Sequence, residues 1–202
     1  MTTVAELPAG FADKVLSAQS TFRSVMDAMA RPGTVQRIAA AAGAPAPMMR
    51  GTAAITLTLF DHDTPVWLDP PMSVTSDVAK WLKFHTGAPV ISDSSICSFA
   101  LVGDARALQG LDRFAFGSNE YPDRSTTLIL QVESLTQGSA LQLRGPGIDG
   151  TAMLGAAIQP ADLFERLAIN AALFPRGIDV VLVAGDAIAA IPRTTRLVAK
   201  GG

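Results

Sequence analysis

Phe174 to Arg196 reads FPRGIDVVLVAGDAIAAIPRTTR. An apolar run, Ile178 to Val183, meets Gly185-Asp186, and a second apolar run, Ala187 to Ile191, follows. Two such runs around a Gly-X pair predict a β-hairpin with a tight turn. Pro192 then stops regular pairing, and the chain turns polar through Arg193, Thr194, Thr195 and Arg196. A buried hairpin would deliver two guanidiniums and two hydroxyls to one strand end, groups that suit an anion or a carboxylate-rich partner surface. In an extended chain Arg193 and Thr195 share one face, Thr194 and Arg196 the other. Both arginines reach one anion only if the chain curls, which Pro192 permits. The competing reading is a pair of solvated arginines ending a strand.

Working outward, helical and strand patterns alternate. Phe11 to Ala30 is predicted as a helix, with Phe11, Val15, Ala18, Phe22, Val25 and Met29 forming one stripe, stopped by Arg31-Pro32-Gly33. Thr34 to Ile38 reads as a short strand, and the Ala/Pro/Gly-rich stretch Ala39 to Gly51 as a loop. Thr52 to Phe60 fits helix or strand; its length and Ala53-Ala54 favour helix. Val66 to Leu68, Ile96 to Val102, Thr127 to Val132 and Leu141 to Arg144 read as strands, and Phe116 to Arg124 as a polar loop. Ser76 is placed as the cap of a helix reaching His85, and Asp162, just after Pro160, as the cap of another reaching Leu173. The mixture predicts one α/β domain over residues 1–202, a mixed β-sheet flanked by helices, with about 1–10 and 197–202 as loose tails.

Composition narrows the function classes. Charged residues are 17% of the 202 and apolar residues 49%, against roughly 25% charged in ordinary soluble domains. With a mean hydropathy of +0.31, the excess points to apolar interfaces in an obligate oligomer. A net charge of −2 argues against a nucleic-acid partner, which would call for a basic face. The single cysteine, Cys97, fits a reducing cytoplasm. MTTVAELPAG shows no basic-then-apolar signal pattern, and no apolar run approaches the ~20 residues of a membrane helix.

Few residues group into recognisable chemistry. Gly145 to Gly150, GPGIDG, matches G-x-G-x-x-G after a strand, yet no helix pattern opens directly behind it, so a tight Gly-Pro-Gly turn carrying Arg144 is the simpler reading. Asp61-His62-Asp63 lacks further ligands at metal spacing, and Asp side chains commonly close such turns unaided. His85, near a helix C-terminus, is a capping residue or a general base. Lys14, Lys80 and Lys83 fall in helices and Lys200 in the tail, none at a strand end where a Schiff base would form. No cofactor and no metal are expected.

Seven segments in order carry a resemblance: FRSVMDAMARPG (Phe22 to Gly33), LTLFDHDTPVWL (Leu57 to Leu68), KFHTGAP (Lys83 to Pro89), TLILQVESL (Thr127 to Leu135), LRGPGI (Leu143 to Ile148), FPRGID (Phe174 to Asp179) and AIPRTTR (Ala190 to Arg196). Together they resemble the H subunit family of the bacterial carbon–phosphorus lyase system. The resemblance implies a cytoplasmic subunit that forms homodimers and assembles with G, I and J subunits. That complex displaces adenine from ATP with an alkylphosphonate, giving a ribose 1-phosphonate 5-triphosphate. The nucleosidase chemistry is associated with the I subunit and the radical cleavage with the J subunit. It further implies a fold like that of pyridoxal-phosphate-dependent transferases without the cofactor. No catalytic residues carry over; binding or interface roles fall on His85, Arg144, Arg176, Arg193, Thr195 and Arg196.

Overall fold

The computed structural model describes residues 7–39, 41, 43–108, 110–158 and 162–198. Asp179–Ala184 (β8) and Ala187–Ile191 (β9) form the expected hairpin, with Ala184 opposite Ala187. Gly185 takes φ 62° at the first turn position, which a residue with a Cβ strongly resists and which a two-residue turn of this kind requires.

Around the hairpin a seven-stranded sheet is assembled from Gln36–Arg37 (β1), Val66–Leu68 (β2), Val90–Ile91 (β3), Phe99–Val102 (β4) and Thr127–Gln131 (β5). Its order is β1-β9-β8-β5-β4-β2-β3, and the run from β8 to β3 is parallel. Both faces of this sheet are covered. Ala100, Val102, Leu128, Leu130, Val180, Leu182, Ala189 and Ile191 enter one core. Leu101, Ile129, Val181, Val183, Ile188 and Ala190, their neighbours in the chain, enter the other. Period-two alternation between two apolar layers explains why these strands read as unbroken hydrophobic runs.

On one face lie Lys14–Ala30 (α1), Arg50–Leu59 (α2), Pro70–Ser73 (α3) and Asp77–His85 (α4). On the other lie Leu163–Ala172 (α5) and a three-stranded antiparallel sheet of Leu141–Arg144 (β6), Ala152–Leu154 (β7) and Arg196–Val198 (β10), ordered β10-β6-β7. The architecture is a single-domain α/β layering with a mixed sheet. Residues 1–6 and 199–202 of the segments expected to be loose, together with Lys200 and Pro160, lie outside the described residues. Leu197 and Val198 are strand residues of β10.

Three local expectations are corrected. Only part of the stripe assigned to α1 is buried: Val25 faces the core with Thr21 and Ala28, and Phe11 and Met29 pack against it, while Val15 and Phe22 are 64% and 50% exposed. α1 packs on α2, whose inward residues Gly51, Thr52, Ala53 and Ala54 are small, so close approach selects small side chains and leaves large ones outside. Ile96 is not in a strand; Ser94–Ile96 is a 3-10 turn whose N-cap Asp93 accepts from the Ser95 amide at 2.9 Å. Ser76 and Asp162 precede their helices but make no side-chain cap. The Thr75 hydroxyl accepts from the Asp77 amide at 3.3 Å, and Asp162 pairs with Arg166 at 2.6 Å.

Buried polar groups knit the layers. Gln131, at the end of β5, accepts from the Met49 amide (2.6 Å) and the Thr52 hydroxyl (2.9 Å) at the start of α2, and donates to the Pro47 carbonyl at 3.1 Å. Asp69, fully buried after β2, accepts from the amides of Met72 (2.9 Å), Gly103 (2.7 Å) and Asp104 (3.1 Å). Burial pushes its carboxyl above the usual range against the pull of those amides. These bonds fix the ends of β2, β4 and β5 relative to α2 and α3.

Candidate functional site

Beyond β9 the chain curls. Thr195 N–H donates to the Pro192 carbonyl at 2.8 Å, and the turn feeds β10 rather than a polar tail. The expected alternation of Arg193 and Thr195 against Thr194 and Arg196 is therefore replaced by a turn followed by a strand. Hairpin pairing matches Val180 with Ile191, which brings Asp179 beside Arg193.

Arg193 and Asp179 form an ion pair whose side chains are only 14% and 15% exposed. The Arg193 backbone N–H donates to Asp179 Oδ1 at 2.8 Å and Nε donates to the same oxygen at 3.2 Å. Nη1 donates to the Pro122 carbonyl at 2.6 Å, and Nη2 to the Ser125 hydroxyl at 2.5 Å and to Asp179 Oδ2. All three guanidinium nitrogens are thus bonded within the protein, so Arg193 ties the Pro122–Ser125 segment to the hairpin and is not available to an anion.

Thr195 is 2% exposed and its hydroxyl has no partner among the described residues. Arg176 is exposed in the turn after α5, where the next residue, Gly177, donates to the Phe116 carbonyl at 2.8 Å. Asn170, buried in α5, holds the same turn by accepting from the Ile178 amide at 2.8 Å and donating to its carbonyl at 2.9 Å.

Arg144 and Arg196 come together. They are directly opposite each other in the β6–β10 ladder, and both are exposed. The adjoining pair, Leu143 and Leu197, turns into the core. Behind Arg144, Gly145-Pro146-Gly147 links β6 to β7, so this G-x-G-x-x-G match is a hairpin connection and does not open a helix. A Cβ on Gly147 would stand 2.0 Å from the Ala30 carbonyl oxygen, and one on Gly145 2.8 Å from that of Thr194. Glycine at these positions lets the turn wedge between the end of α1 and the turn before β10, which fixes Arg144 against Arg196.

His85 belongs elsewhere. Its Nε2 lies 3.1 Å from the Pro8 carbonyl oxygen, which also accepts from Trp81 Nε1 at 2.8 Å. The imidazole stands 4.5 Å from the Trp81 ring and 4.9 Å from Phe84. The ring pins the chain before α1 onto α4, which is neither a general base's place nor an anion site. In Asp61-His62-Asp63, Asp61 accepts from the Asp63 amide (2.9 Å) and the Thr64 hydroxyl (2.7 Å), the bonds of a closed turn. The Thr64 hydroxyl first, then the Asp63 amide, hold its carboxyl below the usual range. Among the described residues no three His, Cys, Asp or Glu side chains group as a metal site.

One feature had no counterpart in the sequence reading. A cavity of about 430 Å³ opens past the carboxyl ends of β4 and β5, lined by Asp104, Arg106, Gln131 and Glu133 among others. Strand ends of a parallel sheet are the usual place for ligands, but the three acidic and basic groups come from loops with no shared motif. Asp104 accepts twice from Arg106 Nε, and that guanidinium, then the Arg106 amide, hold its carboxyl below the usual range.

The family model described as "Bacterial phosphonate metabolism protein (PhnH)" matches residues 9–198. A protein of Rhizobium meliloti (strain 1021), "Alpha-D-ribose 1-methylphosphonate 5-triphosphate synthase subunit PhnH", is 48% identical over 198 residues, covering 98% of both chains. A second relative, from Stutzerimonas stutzeri and called "Putative C-P lyase subunit protein HtxG", is 30% identical over 204 residues, covering 99% of this chain and 97% of that one. The chain belongs to the PhnH family of bacterial phosphonate metabolism proteins.

Proposed function

We propose that this chain is a subunit of a carbon–phosphorus lyase assembly that makes ribose 1-alkylphosphonate 5-triphosphate from ATP and an alkylphosphonate. Its contribution is to hold the assembly together, and the reacting groups lie on other subunits. The observation that carries this reading is the 48% identity, over 98% of both chains, with a named synthase subunit. The interior agrees: Arg193, expected to meet an anion or a partner, is consumed by Asp179, and His85 by the chain before α1.

The reading includes a homodimer, further contacts with G, I and J subunits in the cytoplasm, and one domain spanning residues 1–202. Support for protein contacts comes from Val15, Phe22 and Met26. They are spaced seven and four residues apart on α1 and are 64%, 50% and 51% exposed, an apolar line in water. No helix among the described residues is long and apolar enough to cross a membrane.

The reading also includes a fold like that of pyridoxal-phosphate-dependent transferases, supported by the largely parallel seven-stranded sheet covered on both faces. Among the described residues the lysines do not fit that cofactor: Lys14, Lys80 and Lys83 are exposed on α1 and α4, away from the strand ends where a Schiff-base lysine would stand.

Co-expression with the G, I and J subunits followed by sizing tests the function, and the expected result is co-elution in one large species. Elution of the chain by itself, with the remaining subunits assembled, refutes it. A second reading, in which this subunit binds a nucleotide or phosphonate, rests on Arg144 and Arg196 alone now that Arg193 is committed. Calorimetry with ATP and methylphosphonate tests it, and absence of heat beyond dilution removes it.

A further inference from the structure

Several of the chain's arginines are paired with carboxylates. Arg31 is bonded to Asp27, Arg37 to Asp186, Arg106 to Asp104 and Arg166 to Asp162. Arg144 and Arg196 are not, and the β6–β10 ladder sets them side by side. They stand directly opposite one another across β6 and β10, and among the described residues neither has a carboxylate within 4.0 Å. Opposite residues of an antiparallel pair hold their Cβ atoms about 4.5–5.5 Å apart, and like charges placed so destabilise the sheet. The arrangement is unfavourable in the isolated chain and becomes favourable once anionic groups sit on it.

The surroundings say which anion. Arg144 and Arg196 share their face with Gln142 and Val198, the pair two residues along, and Gln142 lies opposite Met153, which is 56% exposed. Neither arginine lines the cavities of about 430, 410 and 330 Å³, although Gln142 and Val198 edge the second. Small molecules are held in concave sites, whereas flat patches of arginine, methionine and aliphatic side chains mark protein interfaces.

A second copy of this chain is the wrong occupant. A two-fold contact centred on the pair would bring four guanidiniums together, an arrangement that like-charge repulsion disfavours.

We infer that the outer face of β10-β6-β7 is a docking surface for an acidic patch on a different subunit, with the Arg144 and Arg196 forks taking carboxylates bidentately. This rests on the reading of the chain as an assembly subunit. Charge reversal at both positions, Arg144→Glu with Arg196→Glu, in co-expression with tagged G, I and J subunits tests it.

The expected result is a loss of co-purified chain of at least about a hundredfold in affinity, because like-charge juxtaposition across an interface is strongly unfavourable. Arg144→Lys with Arg196→Lys keeps the charge and loses the fork, so it should fall between. Wild-type association should weaken steeply with sodium chloride, and the isolated reversed variant should keep the wild-type circular dichroism and melting temperature. Equal capture of wild type and the Glu variant overturns the inference and leaves the function reading standing. So does calorimetry in which inorganic tripolyphosphate binds wild type and not the variant while assembly persists, since that makes the pair a small-anion site. A wild-type chain that captures no partner removes both readings.

Discussion

Arg193→Ala is the variant most open to misreading, because the loss that it causes would pass for lost ligand binding. The substitution deletes the Nε contact with Asp179 Oδ1 (3.2 Å), the Nη2 contact with Oδ2, and the bonds to Pro122 (2.6 Å) and Ser125 (2.5 Å). It leaves the Asp179 carboxylate, 15% exposed, with only the residue-193 backbone N–H among the described residues. Removing one partner of a buried pair typically costs about 3–5 kcal/mol, because the surviving charge is uncompensated. In a chain of this size each kcal/mol moves the melting temperature by roughly 2–4 °C, so the expected drop is on the order of 6–20 °C. Urea unfolding with and without the substitution measures it directly. A change below about 1 kcal/mol, the scale of exposed ion pairs, would refute the assignment of Arg193 as a structural tie and restore it as a candidate for binding.

By contrast, Arg196→Ala should leave stability within about 0.5 kcal/mol or raise it slightly, since it relieves like-charge opposition to Arg144; the same urea titration decides. Asn170→Ala strips both bonds from Ile178, leaving a buried amide and carbonyl unpaired, and should cost about 2–4 kcal/mol by denaturant unfolding. His85→Ala should speed proteolytic cleavage of the chain ahead of α1, mapped by mass spectrometry, with little change in the rate at interior sites. Asp104 has a folded pKa below its unfolded value, so the stability that it adds is present above the unfolded pKa and is lost as pH falls through the folded one. Asp104→Asn should therefore be less stable than wild type near neutral pH, and the two should converge in acid, as followed by melting at a series of pH values.

The centre of the large sheet was legible because burial on both sides leaves polar residues only at its strand ends, such as Thr127, Gln131 and Asp179. Ile178 to Ile191 is readable for that reason, and its register even foretells the pairing of Asp179 with Arg193. Counting back from Gly185-Asp186 places Asp179 opposite Pro192, one step from the arginine. Two-residue strands such as Val90–Ile91, and β10 hidden behind a proline, carry too few residues to show a period. The stripe on α1 holds at Val25 and Met29 and not at Val15 and Phe22 for another reason: close packing on α2 buries the small Thr21 and Ala28 and leaves those larger side chains outside. At the site, Arg144 and Arg196 were both visible in the sequence, yet their juxtaposition depends on a ladder between residues more than fifty positions apart. No local pattern reports that. The six residues proposed from the resemblance divide into ties (Arg193, His85), a buried hydroxyl (Thr195), a lone exposed cation (Arg176) and the one pair that faces outward.

The exposed line of Val15, Phe22 and Met26 on α1 bears on how the chain fares when it is made in excess of its companions. Apolar side chains left in water are what chaperones and proteases recognise in unfinished proteins, and here they belong to a fully folded domain. A surplus copy is thus expected to be degraded faster than an assembled one, which a pulse-chase with and without co-expressed partner subunits measures. Subunit ratio then becomes a matter of lifetime as well as of synthesis.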